Sequence, residues 1–334
     1  MKKTYYLFNP GRLSRKDNTL KFTAVDESGR EQKPRYLPIE QVDALYVFGS
    51  LDANSSLYNF LGKNEIAVHF YDYYENYTGS FAPKSRLLSG KMLIAQTKAY
   101  LTKKKRLPIA QKFIEGAAYN MVKNLKYYDK RGKDMSPFLE EIALLQEKLR
   151  YTQDIKELMG IEGNIRKWYY EAFNLIIDNH TMGGRSKQPP LNIVNSLISF
   201  GNMMCYSECL RSIFQTQLDP TISFLHEPGE RRYSLSLDVS EIFKPILVDR
   251  VIFKVLNKRI LTEKDFDTQL NRIVLKEVGK KKFVQAYEER LHETIKHRSL
   301  NRNVSYKHLI KLECYKLQKD LLGIEPYQPF KMYW

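Results

Sequence analysis

Residues 87–107 read LLSGKMLIAQTKAYLTKKKRL, and the apolar positions there recur three and four apart, the spacing of one face of an α-helix. Before about Phe81 the pattern is different. Residues 3–8, 20–25, 35–39, 44–48 and 66–71 are short runs rich in β-branched and aromatic side chains, set apart by Asn9-Pro10-Gly11, Ser28-Gly29, Pro34, Pro38 and Gly49. Runs of that kind between turn formers read as strands. One short helix, over 55–61, interrupts them. After residue 81 the helical period persists, predicting helices over 87–107, 109–126, 137–149, 155–177, 191–217, 241–257, 281–293 and 305–322. Breaks fall at Gly132, at Gly183-Gly184 with Pro189-Pro190, and at Pro228-Gly229. The expected fold class is therefore α+β, with a small β-rich N-terminal domain over 1–80 followed by a larger all-α domain over 81–334.

The composition agrees with two folded domains. The chain has 334 residues, of which 43% are hydrophobic and 13% aromatic, enough apolar material to exclude wholesale disorder. No apolar run approaches the ~20 residues that span a bilayer, and the first twenty lack the hydrophobic centre of a signal peptide. Three cysteines, Cys205, Cys209 and Cys314, cannot make an even disulfide framework, which points to a reducing compartment and a cytoplasmic protein without a membrane partner.

The formal net charge is +16, and it is local: residues 1–80 hold ten basic and ten acidic side chains, so the whole excess lies in 81–334. Basic residues interleave there with aromatics, at Lys103-Lys104-Lys105-Arg106, around Tyr127-Tyr128, in Arg166-Lys167-Trp168-Tyr169-Tyr170 and at Lys280-Lys281-Lys282. Cations that neutralise phosphates beside rings that stack on bases suit a nucleic-acid partner. A solvated helix face over core tyrosines explains any one cluster equally well.

Several chemistries are set aside. Cys205 and Cys209, four apart in an apolar helix with no second pair nearby, read as core thiols rather than zinc ligands. There is no P-loop and no dinucleotide glycine fingerprint. His226 differs from the other histidines, because the apolar stretch 218–226 delivers it to the mouth of a turn before Pro228-Gly229. Asp238 and Glu241 follow twelve and fifteen residues later. Three apart, they also fit a capping box that starts the next helix. Glu162 sits between Gly160 and Gly163, and a helical glycine costs about 1 kcal/mol relative to alanine, so close approach of a ligand is one compensation. The plainer reading is an i,i+4 pair of Glu162 with Arg166 on a wet face.

Taken in order, Gly160-Ile161-Glu162-Gly163-Asn164-Ile165-Arg166, Asn195-Ser196-Leu197-Ile198-Ser199-Phe200-Gly201, Phe224-Leu225-His226-Glu227, Ser234-Leu235-Ser236-Leu237-Asp238-Val239-Ser240-Glu241 and Pro245-Ile246-Leu247-Val248-Asp249-Arg250 resemble the CRISPR-associated integrase/endonuclease family of spacer acquisition. The opening Tyr5-Tyr6-Leu7-Phe8-Asn9-Pro10-Gly11 looks like its type I branch. The resemblance covers nearly the whole chain. It implies Glu162, His226 and Glu241 as divalent-metal ligands and catalytic residues, with Asp238 an acidic neighbour of that site. Arg166, Arg185, Lys244 and Arg250 are the expected DNA contacts. The chain departs from the family at Asn202, often tyrosine, at Lys244, often arginine, and at Ser223, often glycine.

Two carboxylates with one imidazole suit Mg²⁺ or Mn²⁺ better than a thiolate-rich zinc site. The implied reaction is attack of a DNA 3′-hydroxyl on a phosphodiester at a CRISPR repeat, needing no protein nucleophile. The implied partners are double-stranded DNA, a second copy of the chain joined through residues 1–80, and a small ferredoxin-like CRISPR-associated subunit. Two other classes stay open. One is a non-catalytic basic helical scaffold in which Glu162 and Glu241 serve only a salt bridge and a cap. The other is a divalent-metal nuclease that only hydrolyses.

Overall fold

Alternation of apolar and polar residues builds two sheets in the first unit of the computed structural model, which describes residues 2–333 apart from 27, 73, 84–88, 188, 231–232 and 270–271. The chain divides into two units, Met1–Leu88 and Ser89–Trp334. In the first, β1 (Lys3–Leu7), β2 (Gly11–Lys16), β3 (Thr19–Ala24), β4 (Arg35–Pro38), β5 (Val42–Val47) and β6 (Leu51–Asp52) precede helix α1 (Ser55–Lys63), β7 (Ala67–Tyr71) and β8 (Tyr77–Phe81). One sheet has the order β1-β5-β7-β8 and the other β4-β3-β2-β6. Strands β1, β5 and β7 run parallel, and β8 returns antiparallel to β7. Leu7, Leu13, Leu20, Val42, Leu45, Val47, Leu61 and Val68 fill the core between them. Helix α1 is started by Asn54, whose side chain accepts from Leu57 N at 3.0 Å, the ordinary N-cap arrangement.

Three strands of the first unit were not visible in the sequence: β2, β8 and the two-residue β6, which pairs with β2. β2 reads Gly-Arg-Leu-Ser-Arg-Lys, and Gly11 and Leu13 are its buried residues, so its period-2 signal is too short to register. β8 is a Tyr-Thr-Gly-Ser-Phe strand that becomes a strand by pairing with β7.

The second unit holds α2 (Gly90–Leu101), α3 (Lys103–Asp129), α4 (Ser136–Lys148), α5 (Ile155–Glu171), α6 (Phe173–Ile176), α7 (Ile193–Phe214), α8 (Ser234–Lys244) and α9 (Arg250–Asn257). The hairpin β9 (Phe266–Gln269) and β10 (Arg272–Leu275), helix α10 (Glu277–His292), the hairpin β11 (Thr294–Lys296) and β12 (Asn303–Ser305), and α11 (Tyr306–Leu321) complete it. The two hairpins were absent from the helical reading of 81–334. Helix α7 is buried on nearly every side and packs against α8 and α11, while α3 covers another side of α8. No helix among the described residues is long and apolar enough to cross a membrane.

Among the helix boundaries that differ from expectation, two bear on the site. The helix expected over 87–107 has its first two positions outside the described residues, and the chain breaks at Thr102, which is extended (φ −99°, ψ 104°). Pro108 then lies inside α3, near enough to the helix start that its missing N–H removes one early bond. The helix expected to begin at Glu241 begins at Ser234 instead. It then passes through a π-turn over Pro245–Asp249 before α9. Pro245 cannot donate to the Glu241 carbonyl, so the ladder widens there.

Candidate metal and DNA-processing site

The loop between α7 and α8 carries His226, and its path is dictated by buried side chains from three helices. Gln96, fully buried on α2, donates to the carbonyls of Asp219 (2.8 Å) and Ile222 (2.7 Å) and accepts from Asp219 N (2.9 Å). Arg106 on α3 donates its Nε to Phe224 O at 2.8 Å and its Nη2 to Glu227 at 2.6 Å. Tyr100 stacks under that guanidinium at 4.3 Å and also donates to Glu227. Ser223 bonds His226 O at 2.5 Å and Ser234 Oγ at 2.8 Å, so its hydroxyl ties the loop to the start of α8.

Asp238 completes the loop's support. It has no exposed surface, and its carboxylate accepts from the backbone N–H groups of Phe224 (2.6 Å), Leu225 (3.0 Å) and His226 (2.9 Å). The same carboxylate lies 2.8 Å from His226 Nδ1. That contact assigns the ring proton to Nδ1 and leaves the Nε2 lone pair on the side of Glu241, whose Oε1 lies 4.0 Å away, as in carboxylate–histidine pairs behind metals. The capping-box reading of Asp238 and Glu241 is thereby corrected. Both lie inside α8, whose N-cap Tyr233 makes no side-chain cap bond.

One turn after Asp238, Glu241 is nearly buried, at 6% side-chain exposure. Its Oε1 accepts from Lys244 Nζ at 2.6 Å, and its Oε2 accepts from Arg166 Nη2. Burial would push this carboxyl up, but the charges of Arg166 and Lys244 beside it hold it at about 2. The pairing acts back on the cations: despite burial, Glu241 raises both Lys244 and Arg166 above their ordinary values. Arg166 also donates its Nε to Glu162 at 2.6 Å, with Tyr170 OH at 3.5 Å from its Nη1. The i,i+4 pair of Glu162 and Arg166 expected on a wet face is thus only 15% and 18% exposed. One guanidinium bridges the two glutamates, and His226 Nε2 stands 4.0 Å from Glu241 Oε1.

Glu162, Arg166, His226, Asp238, Glu241 and Lys244 therefore meet, although the three expected metal ligands do not form a ready cage. Among the described residues no three acidic, imidazole or thiol side chains are gathered closely enough to hold a metal ion together. The donor set fits a hard divalent cation in kind, since the two carboxylates already bracket one positive group and the imidazole is oriented by its other nitrogen. Arg166 occupies the intervening space.

The other expected cations have partners of their own. Arg185 donates to Asn195 Oδ1 at 2.9 Å, to Ser199 Oγ at 3.1 Å and to Ser186 O, and burial lowers its pKa. Arg250 lies over the Tyr127 ring at 4.3 Å, with Arg131 on the same ring at 4.2 Å. Asn202 leaves its side-chain oxygen buried with no hydrogen-bond partner. Of the Lys103–Arg106 run, the lysines are exposed and Arg106 is spent on the His226 loop.

Sequence reading missed Gln96 and Asp249, and it placed Arg106, Tyr169 and Tyr170 in nucleic-acid-binding clusters rather than around this centre. A signal existed for Gln96, an amide at the i+4 position of a Met92, Gln96, Ala99 stripe that is buried throughout. None existed for Asp249. It is buried beside Tyr169, whose hydroxyl accepts from Asn124 at 2.8 Å. Burial pushes this carboxyl up to about 7, against its hydrogen bond from Tyr169 and the charges of Arg166 and Lys244.

A double-sheet unit followed by a helical unit, with an oriented imidazole and two glutamates on converging helices, defines an α+β protein with an acid–imidazole centre. The family described as CRISPR associated protein Cas1 matches residues 5–289, and the chain belongs to that family. It is 46% identical over 335 residues to the CRISPR-associated endonuclease Cas1 of Fusobacterium nucleatum, covering 100% of this chain and 98% of that one. It shares 37% identity and a TM-score of 0.86 with a solved Cas1 protein from Thermotoga maritima, over 98% of this chain and 99% of that one. A casposase bound to integration product, 22% identical with a TM-score of 0.87 over 99% of this chain and 93% of the other, has the same fold.

Proposed function

We propose that the protein is a divalent-metal-dependent DNA integrase and endonuclease of CRISPR adaptation. It inserts short DNA duplexes into a CRISPR array by transesterification from a 3′-hydroxyl. The single observation that carries this reading is the meeting of Glu162 and Glu241 on one guanidinium, with Nε2 of His226 4.0 Å from Glu241. Family membership supports the same reading, as does the relative named an endonuclease.

Glu162, His226 and Glu241 would hold a Mg²⁺ or Mn²⁺ ion. When bound, such an ion polarises a phosphoryl oxygen, orients an incoming hydroxyl and stabilises the departing one. The chain's own residues do the rest. Asp238 keeps the His226 proton on Nδ1 and fixes the ring plane, and Gln96 and Arg106 hold the loop beneath it. Lys244 and Arg166 balance the acidic pair within a nearly buried pocket. In the strand-transfer step a bond forms between the attacking 3′-oxygen and phosphorus as the bond to the leaving 3′-oxygen breaks, so phosphodiesters are conserved in number. Water in place of the hydroxyl gives hydrolysis. The exposed lysines at 103–105 on α3 are the cations offered to double-stranded DNA, and Arg166, Arg185, Lys244 and Arg250 are the further contacts that the family resemblance implies. The unit Met1–Leu88 is the proposed dimerisation element, and a small ferredoxin-like companion the bridging partner.

The scaffold alternative is favoured by one observation, the complete pairing of Glu162 and Glu241 with protein cations. Glu162→Ala separates the two. Strand cleavage and joining lost by more than about 100-fold, with DNA affinity kept, supports the enzyme, and unchanged chemistry refutes the site. Supercoiled plasmid with a 3′-hydroxyl duplex separates integration from hydrolysis, because only integration yields a joined product. Chelation with EDTA must abolish both reactions while leaving DNA bound.

A further inference from the structure

Within the acidic pair, the two cations are placed differently. Of the two glutamates Lys244 touches only Glu241; its ammonium also lies over the Tyr206 ring at 4.7 Å, and it is 6% exposed. Arg166 touches both glutamates, is 18% exposed, and has the Tyr170 hydroxyl 3.5 Å from the edge that bonds neither carboxylate. Its stem leaves α5 one turn after Glu162, so the same helix supplies an acid and the cation that neutralises it. Two nearly buried carboxylates facing each other without a cation would repel strongly.

We propose that Arg166 is a built-in competitor of the divalent ion, holding Glu162 and Glu241 closed around its guanidinium until the metal displaces it. This rests on the metal-dependent reading above and adds to it how the site is loaded. The exchange keeps the two carboxylates neutralised, because the ion brings two positive charges where the guanidinium brought one. A divalent ion replaces one positive charge between the carboxylates, and the guanidinium turns toward Tyr170 and solvent instead of leaving a bare acidic pair. Arg166 thereby sets the concentration of free ion at which the centre fills. It accounts for three expected ligands that meet without forming a ready cage.

The test is direct Mn²⁺ binding to the full chain without DNA, read by the electron paramagnetic resonance signal of free Mn²⁺. Arg166→Gln should bind Mn²⁺ about tenfold tighter or more than wild type, and Arg166→Lys, which keeps the charge, within about threefold of it. Mn²⁺ should also raise the melting temperature of Arg166→Gln more than that of wild type. Equal or weaker Mn²⁺ binding by a folded Arg166→Gln overturns the proposal. A Mn²⁺-soaked crystal of the wild-type chain needs no variant. Arg166 withdrawn from Glu241 supports the exchange, and Mn²⁺ bound with both Arg166 contacts intact overturns it. Glu162→Gln distinguishes failure of the underlying reading, because Mn²⁺ binding unchanged by that substitution removes the metal site itself and the competition with it.

Discussion

Asp238 Oδ1 lies 2.8 Å from Nδ1 of His226, and the same carboxylate caps three successive backbone N–H groups of the loop that presents the imidazole. A single buried acid therefore decides both where the histidine sits and which nitrogen it shows. This is a four-bond role, more than an orienting contact alone, and it makes Asp238 a joint between helix α8 and the loop before it.

Replacing Asp238 with alanine strands those three N–H groups away from water. Unsatisfied buried donors and a lost charged acceptor cost about 3 kcal/mol together. In a unit of this size that lowers the melting temperature by roughly 6–12 °C. Asp238→Asn keeps the shape and should lose less stability, yet should lose Mn²⁺ affinity as strongly as the alanine variant. Calorimetry beside Mn²⁺ titration checks both, and an unchanged melting temperature for Asp238→Ala would contradict the bonding.

Two buried acids give opposite pH signatures. Glu241 falls from 4.5 to about 2 on folding, so its contribution is present above pH 4.5 and is lost as pH drops toward 2. Asp249 rises from 3.8 to about 7, so its contribution is complete below pH 3.8 and is lost as pH climbs through 7. Asp249→Asn should match wild type near pH 4 and exceed its melting temperature at pH 8. Parallel pH profiles for the two proteins would show that Asp249 carries no such shift.

The basic run at the start of α3 should split by function. Lys104→Ala and Lys105→Ala remove exposed charge, and each should weaken DNA binding and flatten the dependence of log affinity on log salt by about one unit if it meets a phosphate. Arg106→Ala should leave that slope alone and instead destabilise the His226 loop, because its guanidinium is committed to Phe224 and Glu227. Fluorescence anisotropy across a salt series distinguishes them, and a flattened slope in Arg106→Ala refutes the division.

Gln96→Leu fills the same volume without bonding the loop. It removes the bonds that Gln96 makes to Asp219 N and to the carbonyls of Asp219 and Ile222, a loss of about 2 kcal/mol. Amide hydrogen exchange over residues 218–226 should accelerate at least about tenfold in the variant, while exchange in α10 stays as in wild type. Equal protection of the loop in both proteins would remove Gln96 from its support.

The chain's periodicity already separates a strand-rich start from a helical remainder. Its charge count assigns the basic surface to the second part, and the ordered blocks around Glu162, His226 and Glu241 are legible as a family pattern. These are local or compositional signals, carried by residues a few positions apart. The start of α8 at Ser234, the π-turn at Pro245–Asp249 and the break at Thr102 are not of that kind. Pro245 marks the second only once the helix is known to run through it. The pairing of Arg166 with Glu241, 75 residues away, the grip of Gln96 on a loop 123 residues later and the burial that lifts Asp249 exist only after α2, α3, α5 and α8 have packed. A sequence names the acids, the imidazole and the cations. Which cation neutralises which acid depends on desolvation and distance, and both are properties of the assembled helices.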